Sequence, residues 1–342
     1  MPPSIFQEAE SRGKFYVEAE LLYWKIIQDN LIAAQERSTV EVQDPAVRPL
    51  GPTRRLSVYN SNAPMIHPDF QWEAGFRLGA GTNFENTNSD LRLRWTHNGS
   101  KVNQKFQAEG DRRFFLPNTY AKEFDVSWKS KLDMVDLALG YTMVLNRYFQ
   151  ARPFAGLQAI ALTQDTETTY IGEQPYSLPS IPNSLYRIFV NEESTFSGLG
   201  GIIGTDLLWI FRKDLTFYGT VAAMMYHGYG KGEQQTDIQT TPTALLLRQY
   251  DLKDSGYTNK FGYNLGLGAR FDRSFDKVHL GLSLGWELLT LFDQSLMSFV
   301  SNTPFLNGYV NIGSPFHTHG LVLKVVVGWY VYIYKYETGS LY

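Results

Sequence analysis

Cysteine is absent from all 342 residues, so neither a disulfide framework nor a thiolate metal site can form. An excess of charge of one sign is also lacking, because 31 basic and 34 acidic residues leave a formal net charge of −3. A nearly neutral chain offers no electrostatic reason to bind nucleic acid. His317 and His319 would share a strand face, but no third ligand lies nearby in sequence. We therefore expect no metal, no cofactor and no nucleic-acid partner.

Long apolar runs are missing as well. No stretch of about 18 consecutive apolar residues occurs, which excludes a membrane-spanning helix. Residues 1–13 are polar and contain Glu8, Glu10 and Arg12, so they lack the basic and then apolar layout of a secretory signal. If the protein is exported, we expect either a native start upstream or a mature chain with an added Met.

Aromatic residues are plentiful instead, at 15%, and they recur in segments that alternate apolar with polar or small residues. This period of two predicts β-strands, and no segment has a helical stripe. The ten predicted strands are 14–26, 69–82, 89–98, 126–144, 147–163, 196–212, 214–230, 258–272, 276–292 and 319–334.

The connections between these strands alternate strictly between long and short. Outer-membrane barrels have this arrangement, with short periplasmic turns and long external loops. We predict one transmembrane antiparallel up-and-down β-barrel over 14–334, with polar tails at 1–13 and 335–342. An alternative of twelve strands arises if 54–59 and 244–250 add a hairpin. The long connections are 27–68, 99–125, 164–195, 231–257 and 293–318; the short ones are 83–88, 145–146, 213 and 273–275.

The apolar face of each strand should point outward to lipid, the inverse of a soluble barrel. In the second strand Trp72 and Phe76 oppose Glu73 and Arg77. Aromatic residues near strand ends predict girdles at the two membrane interfaces. They are Tyr23, Trp24, Phe70, Trp72, Tyr148, Phe149, Trp209, Phe211, Phe217, Tyr218, Trp329 and Tyr330.

The opposite face collects charges of both signs in equal number. One interpretation is a pore lining that sets conductance and weak ion preference; the other is a structural network of ion pairs. The predicted pore-lining residues are Glu18, Glu20, Glu73, Arg77, Arg92, Arg94, Asp136, Arg152, Asp206, Arg270, Glu287 and Lys324.

Motifs for catalysis were sought as well. The glycines at 198, 200, 201 and 204 miss the spacing of a dinucleotide-binding loop, and G-x-S-x-G is absent. His97 and His227 lie near external strand ends, which leaves a hydrolase at the rim as an alternative. We predict that the protein is not an enzyme.

Several short motifs spread over residues 14–330 resemble the Legionella outer-membrane-protein family. This family of major-outer-membrane-protein-like porins also occurs in chlamydia-related bacteria. The motifs are FYVEAELLYWK (15–25), WEAGFRLG (72–79), VDLALG (135–140), RPFAGLQA (152–159), FSGLGGIIGTD (196–206) and GLVLKVVV (320–327).

The resemblance implies a pore-forming barrel in the outer membrane of a Gram-negative bacterium and supplies no catalytic residues. Family members usually end on a strand with a terminal aromatic, whereas this chain continues past Trp329 to Tyr342. We expect passive diffusion of small hydrophilic solutes or ions, contact with outer-membrane lipid, and a possible homo-oligomer. The alternatives are a surface adhesion or structural barrel with a closed lumen and, less favoured, the rim hydrolase.

Overall fold

The computed structural model describes residues 15–28, 34–43, 53–57, 65–66, 69–84, 87–108, 112–116, 119–173, 185–212, 214–240, 245–275, 278–293, 298–303, 306–311 and 315–329. In that part of the chain no helix is long and apolar enough for a membrane crossing. The strands are β1 (Phe15–Gln28), β2 (Ala34–Gln43), β3 (Thr53–Ser57), β4 (Met65–Ile66), β5 (Trp72–Asn83), β6 (Ser89–Gln107), β7 (Arg112–Leu116), β8 (Thr119–Tyr141), β9 (Met143–Val144), β10 (Phe149–Glu173), β11 (Leu185–Arg212), β12 (Leu215–Thr240), β13 (Leu245–Phe275), β14 (Val278–Leu291), β15 (Ser298–Thr303), β16 (Leu306–Asn311) and β17 (Phe316–Trp329).

Ten of these strands form a closed antiparallel ring in the order β1, β5, β6, β8, β10, β11, β12, β13, β14 and β17. Pairing of β17 with β1 closes it. The predicted barrel of ten strands is confirmed. The alternative of twelve is wrong, because residues 245–250 belong to β13, and β3 pairs with β2 outside the ring. The predicted tails at 1–13 and 335–342, with Tyr330 and Tyr342, lie outside the described residues.

The two rims differ as expected, but the strands on the long-loop side run further than predicted. β10 continues to Glu173 and β11 begins at Leu185, about ten residues beyond each predicted end. The connection between β12 and β13 shrinks to residues 241–244. These extensions are rich in Thr, Gln and Glu on both faces, so the ladder continues where the apolar alternation has stopped.

The register fixes the dimensions of the barrel. Starting at Glu20, successive pairings lead to Thr258 of β13 through β5 and to Arg270 of β13 through β17, a stagger of twelve residues. With about 3.3 Å per residue and about 4.8 Å between strands, this tilts the strands by roughly 40°. The backbone radius is then about 10 Å, a width that large side chains from opposite walls can fill.

The outward face is apolar over a continuous band. In β14, Leu282 and Leu284 are exposed, whereas Ser283, which lies between them, and Glu287, further along the strand, are buried. An apolar surface of this extent needs lipid to cover it. The prediction of the aromatic girdles is wrong for three residues. Trp24 and Phe70 are buried inside the barrel, and Tyr218 lines the lumen. Phe70 precedes the first residue of β5, so strand alternation does not govern it.

Aromatic rings join the strands on either side of the seam where β1 meets β17. Trp72 of β5 and Trp286 of β14 approach to 5.8 Å between ring centroids, although each belongs to a strand outside the seam pair. Tyr23 stacks on Trp72 at 5.4 Å, and His319 contacts it at 5.5 Å. We name these four residues the seam clasp. It links four strands across the point of closure.

The seam clasp predicts energetic coupling between Trp72 and Trp286. A double-mutant cycle of Trp72→Ala and Trp286→Ala, measured by urea unfolding from lipid vesicles, should give a coupling of about 1 kcal/mol. Trp209, which packs on Phe149 and Phe217, is the control, since Trp72→Ala and Trp209→Ala should be additive. Equal coupling in both cycles would contradict the clasp.

Beyond the lipid band the barrel projects into water. Past the exposed Tyr229, the outward positions of β12 carry Lys231 and Glu233, whose Nζ and Oε1 are 2.6 Å apart. Inside the projection a second apolar cluster includes Phe124, Tyr170 and Ile188.

A carboxyl group is buried in the same projection. Glu192 accepts a hydrogen bond from Gln234 at 2.9 Å, and burial raises the pKa of Glu192 to about 7. The folded protein therefore keeps this proton up to a higher pH than the unfolded chain does.

Glu192 predicts a stability that falls with pH. Because the unfolded carboxyl ionises near 4.5, the free energy of unfolding should decrease between about pH 4.5 and 7 and then level off. Glu192→Gln should flatten this slope in urea titrations across that range. Glu193→Gln, on the neighbouring exposed position, should leave it unchanged; an unaltered slope in Glu192→Gln would refute the assignment.

Candidate functional site

The inward face of the barrel on the short-turn side carries a network of charged groups. Its centre is Arg77, whose guanidinium donates to Glu20 at 2.6 Å, to both oxygens of Glu287 at 3.0 and 3.1 Å, and to Thr96 at 2.8 Å. Lys324 donates to Glu18 at 2.5 Å and lies 3.1 Å from Glu20. Strands β1, β5, β14 and β17 are tied together by these bonds.

A second node joins the opposite wall. Arg152 donates to the two oxygens of Asp90 at 2.7 and 2.5 Å and to Asp206 at 2.8 Å. Thr220 donates to the other oxygen of Asp206 at 2.8 Å. Between the nodes, Arg94 donates to Asp136 at 3.1 Å. Nearly every carboxylate here therefore has a cation in contact, as buried charges require.

At the short-turn rim the network ends in a smaller group. Arg270 donates from Nε to Asp272 at 2.8 Å, and Nε2 of His279 lies 3.0 Å from the same carboxylate. Ser274 Oγ is 3.1 Å from Nδ1 of His279. Gly281 faces this group, and a side chain there would approach Asp272 Oδ1 to 2.9 Å. The absence of a side chain leaves room for the ion pair.

Between these nodes lies a cavity of about 200 Å³. That volume corresponds to roughly seven waters at about 30 Å³ each. Five carboxylates and six cations line it, together with Tyr16, Tyr218 and Asn264. The charged residues are Glu18, Glu20, Asp90, Asp206, Glu287, Arg77, Arg92, Arg94, Arg152, Arg270 and Lys324.

The twelve residues predicted to line a pore all point inward. Ten of them line the cavity, and Asp136 is bonded to Arg94 beside it. Glu73 is placed elsewhere, further from the short-turn rim and opposite Trp24 in the register. Their role in conduction stays a prediction.

Sequence reasoning missed Asp90, Asp272 and His279, which complete the ion pairs, and Tyr16, Tyr218 and Asn264 at the cavity wall. Strand parity could have found Asp90, since it shares a face with Arg92 and Arg94. Asp272 lies in β13 and pairs with Gly281 of β14, whereas the sequence had suggested a turn just after it.

On the long-loop side of the charged network, the lumen is filled by apolar side chains. Trp128, Leu132, Tyr226 and Phe316 have at most 1% of their surface exposed. They belong to one continuous cluster that also includes Phe154. We call this cluster the apolar layer. It packs side chains from opposite walls across the barrel, so in this conformation the cavity is covered on the long-loop side.

The histidines considered for other chemistry lie elsewhere. His97 faces outward with Nδ1 2.8 Å from Asp133, and His227 faces outward with Nδ1 2.9 Å from Asn259. His319 belongs to the seam clasp, and Nδ1 of His317 lies 2.9 Å from Thr290 Oγ1. Within the described residues these four side chains do not meet at one site. The rim hydrolase stays a hypothesis.

The closed ring, the apolar exterior and the charged interior define an outer-membrane β-barrel protein. A family model described as Legionella pneumophila major outer membrane protein precursor matches residues 9–327. The chain therefore belongs to this outer-membrane-protein family, as its motifs suggested, and its location is the bacterial outer membrane. Among curated proteins no match was found.

Solved structures of outer-membrane barrels are similar at low identity. One is the Escherichia coli outer membrane protease OmpT, with 10% identity, a TM-score of 0.41, and coverage of 92% of this chain and 96% of that one. The Pseudomonas putida toluene transporter TodX has 7% identity, a TM-score of 0.27, and coverage of 95% and 91%. A Pseudomonas aeruginosa FadL homologue has 7% identity, a TM-score of 0.27, and coverage of 92% and 90%.

Removing the central guanidinium should destabilise the barrel strongly. Arg77→Gln leaves Glu20 and Glu287 buried with less compensation, and we expect a loss of about 3–5 kcal/mol in urea unfolding from vesicles. The control is Lys25→Gln, which breaks the exposed Lys25–Asp69 pair, 3.1 Å between Nζ and Oδ1, and should cost about 1 kcal/mol or less.

Neutralising the two carboxylates that bind Arg77 also tests its central role. Adding Glu20→Gln and Glu287→Gln to Arg77→Gln should restore much of the lost stability, because the two carboxylates that Arg77 compensates are then no longer charged. If Arg77→Gln behaved like Lys25→Gln, the central role of Arg77 would be disproved.

Proposed function

We propose that the protein is a porin of low conductance, which lets small hydrophilic solutes or ions cross the outer membrane passively. In this proposal the barrel wall contacts outer-membrane lipid, the lumen contacts the solute, and no catalysis or cofactor is involved. Family membership supports the location, and the polar half of the lumen supports the path.

The observation that carries the proposal is the charged cavity. Replacing buried ion pairs by apolar side chains of similar volume is often neutral or stabilising, so wall stability alone gives no reason to keep a dozen charges inside. The lumen instead holds about 200 Å³ of space lined by groups that can replace the hydration of a solute. A hydrated solute path requires such a lining.

The apolar layer limits the size of this path. Trp128 and Phe316 are fully enclosed, so conduction requires their side chains to move aside. Hydrophobic constrictions in channels interrupt conduction by expelling water. We therefore expect brief openings and small conductance steps.

The same layer favours a second candidate, a surface barrel with a closed lumen. Its strands project past the lipid band, where a second apolar cluster around Phe124 and Tyr170 supports them. Such a projection could present the long-loop rim to other surfaces while the lumen conducts nothing. Electrical recording separates the two candidates.

The apolar layer predicts the effect of trimming one side chain. In planar bilayers the wild type should give small discrete steps, and Trp128→Ala should enlarge them severalfold by opening the layer. The matched control is Trp95→Ala, because Trp95 lies on the adjacent strand but is 42% exposed on the lipid face. Its conductance should equal that of the wild type.

A wild type without discrete steps would overturn the porin proposal. If Trp128→Ala were silent as well, the surface barrel would be favoured. Heat-modifiable mobility in gels should confirm that each variant has folded before recording.

A further inference from the structure

Arg92 differs from the other cations that line the cavity. It is 9% exposed and lies on the inward face of β6, yet among the described residues it forms no ion pair. Its Nε is buried without any hydrogen-bond acceptor. Arg77, Arg94 and Arg152 each donate to at least one carboxylate. Asp206 and Glu18 attract its charge without contacting it, so its hydrogen-bond donors are left for another acceptor.

A second guanidinium lies close to the first. The Cζ atoms of Arg92 and Arg152 are 5.6 and 5.5 Å from the centroid of the same Phe154 ring. Arg152 is neutralised by Asp90 and Asp206, so Arg92 is the member of the pair whose charge has no contact partner. An anion in the cavity beside Arg92 would relieve the repulsion between the two guanidiniums.

The cavity provides the space for such an anion. Arg92, Arg152 and Phe154 all line it, as does Tyr16, whose ring lies over Gly81. The planar guanidinium presents parallel N–H groups that match the two oxygens of a carboxylate or phosphate. Glu18 Oε1 is also buried there without a partner and can accept from a hydroxyl or ammonium group on the same solute.

We infer that the cavity is a binding site for a small oxyanion, a carboxylate or phosphate, held by Arg92. This inference deepens the proposed solute path and rests on it for its biological use. It assigns the anionic group of the solute to Arg92 and leaves the paired charges as the wall of the site. The sequence alone could not show this, because only the side-chain contacts reveal which cation has no carboxylate bonded to it.

Binding is measured on the detergent-solubilised full chain, in an uncharged detergent, by calorimetric titration with sodium phosphate and with sodium acetate at fixed ionic strength. Tetramethylammonium chloride serves as the cation probe. We expect one saturable site for phosphate or acetate and none for the cation. The preferred anion identifies which oxyanion source the site accepts.

Variants assign the site to Arg92. Arg92→Gln should weaken binding at least tenfold. Arg92→Lys keeps the charge but loses the parallel N–H donors, so its affinity should lie between those of Arg92→Gln and the wild type. Arg147→Gln is the matched control, because Arg147 lies exposed at a short turn outside the cavity. Heat-modifiable mobility establishes folding, and Arg92→Lys keeps the test valid should Arg92→Gln fail to fold.

The outcomes separate this inference from the porin proposal. Absence of saturable binding by the wild type, or unchanged binding in both Arg92 variants, overturns the site even when the barrel conducts. Saturable binding by the wild type that is weakened in the Arg92 variants upholds the site even when no conductance steps appear, and only the solute path then fails.

Discussion

Closure of the backbone ladder is the constraint on which the rest of this structure depends. In hydrocarbon every N–H and C=O group must find a partner within the protein, and a ring of strands achieves this without an open edge. Once the β1–β17 pairing closes the ring, strand parity decides whether each side chain meets lipid or the lumen. The apolar exterior, the charged interior and the seam clasp all follow from that one pairing.

The interior has two regions with different physics. On the short-turn side, ionised groups satisfy one another around Arg77 and Arg152 and leave a cavity. On the long-loop side, Trp128, Tyr226 and Phe316 are as fully buried as the core of a soluble protein. A radius set by ten strands and a stagger of twelve permits both, because side chains can reach across the barrel. Any solute would pass from a polar site into a layer that must open.

Much of the fold could be predicted from the sequence, because lipid forces a strict alternation such as that of Leu280 to Leu288 in β14. The prediction failed at residues that this alternation does not cover. The extension of β10 to Glu173 carries polar residues on both faces, and Phe70 lies just before β5, so neither shows the pattern. The inward direction of Arg77 and Asp136 was predictable from parity, whereas their partners, and the isolation of Arg92, depend on side chains brought together from distant strands.

The central claim is that hydrocarbon covers the outward face. Because the chain has no cysteine, single cysteines can be introduced along Val278–Leu291 and spin-labelled in lipid vesicles without competing thiols. Collision rates with oxygen, which partitions into lipid, should alternate with a period of two, high at Leu280, Leu282 and Leu284 and low at Gly281, Ser283 and Gly285. Labels at all six positions colliding equally with a water-soluble nickel chelate, with no alternation in oxygen access, would contradict the account.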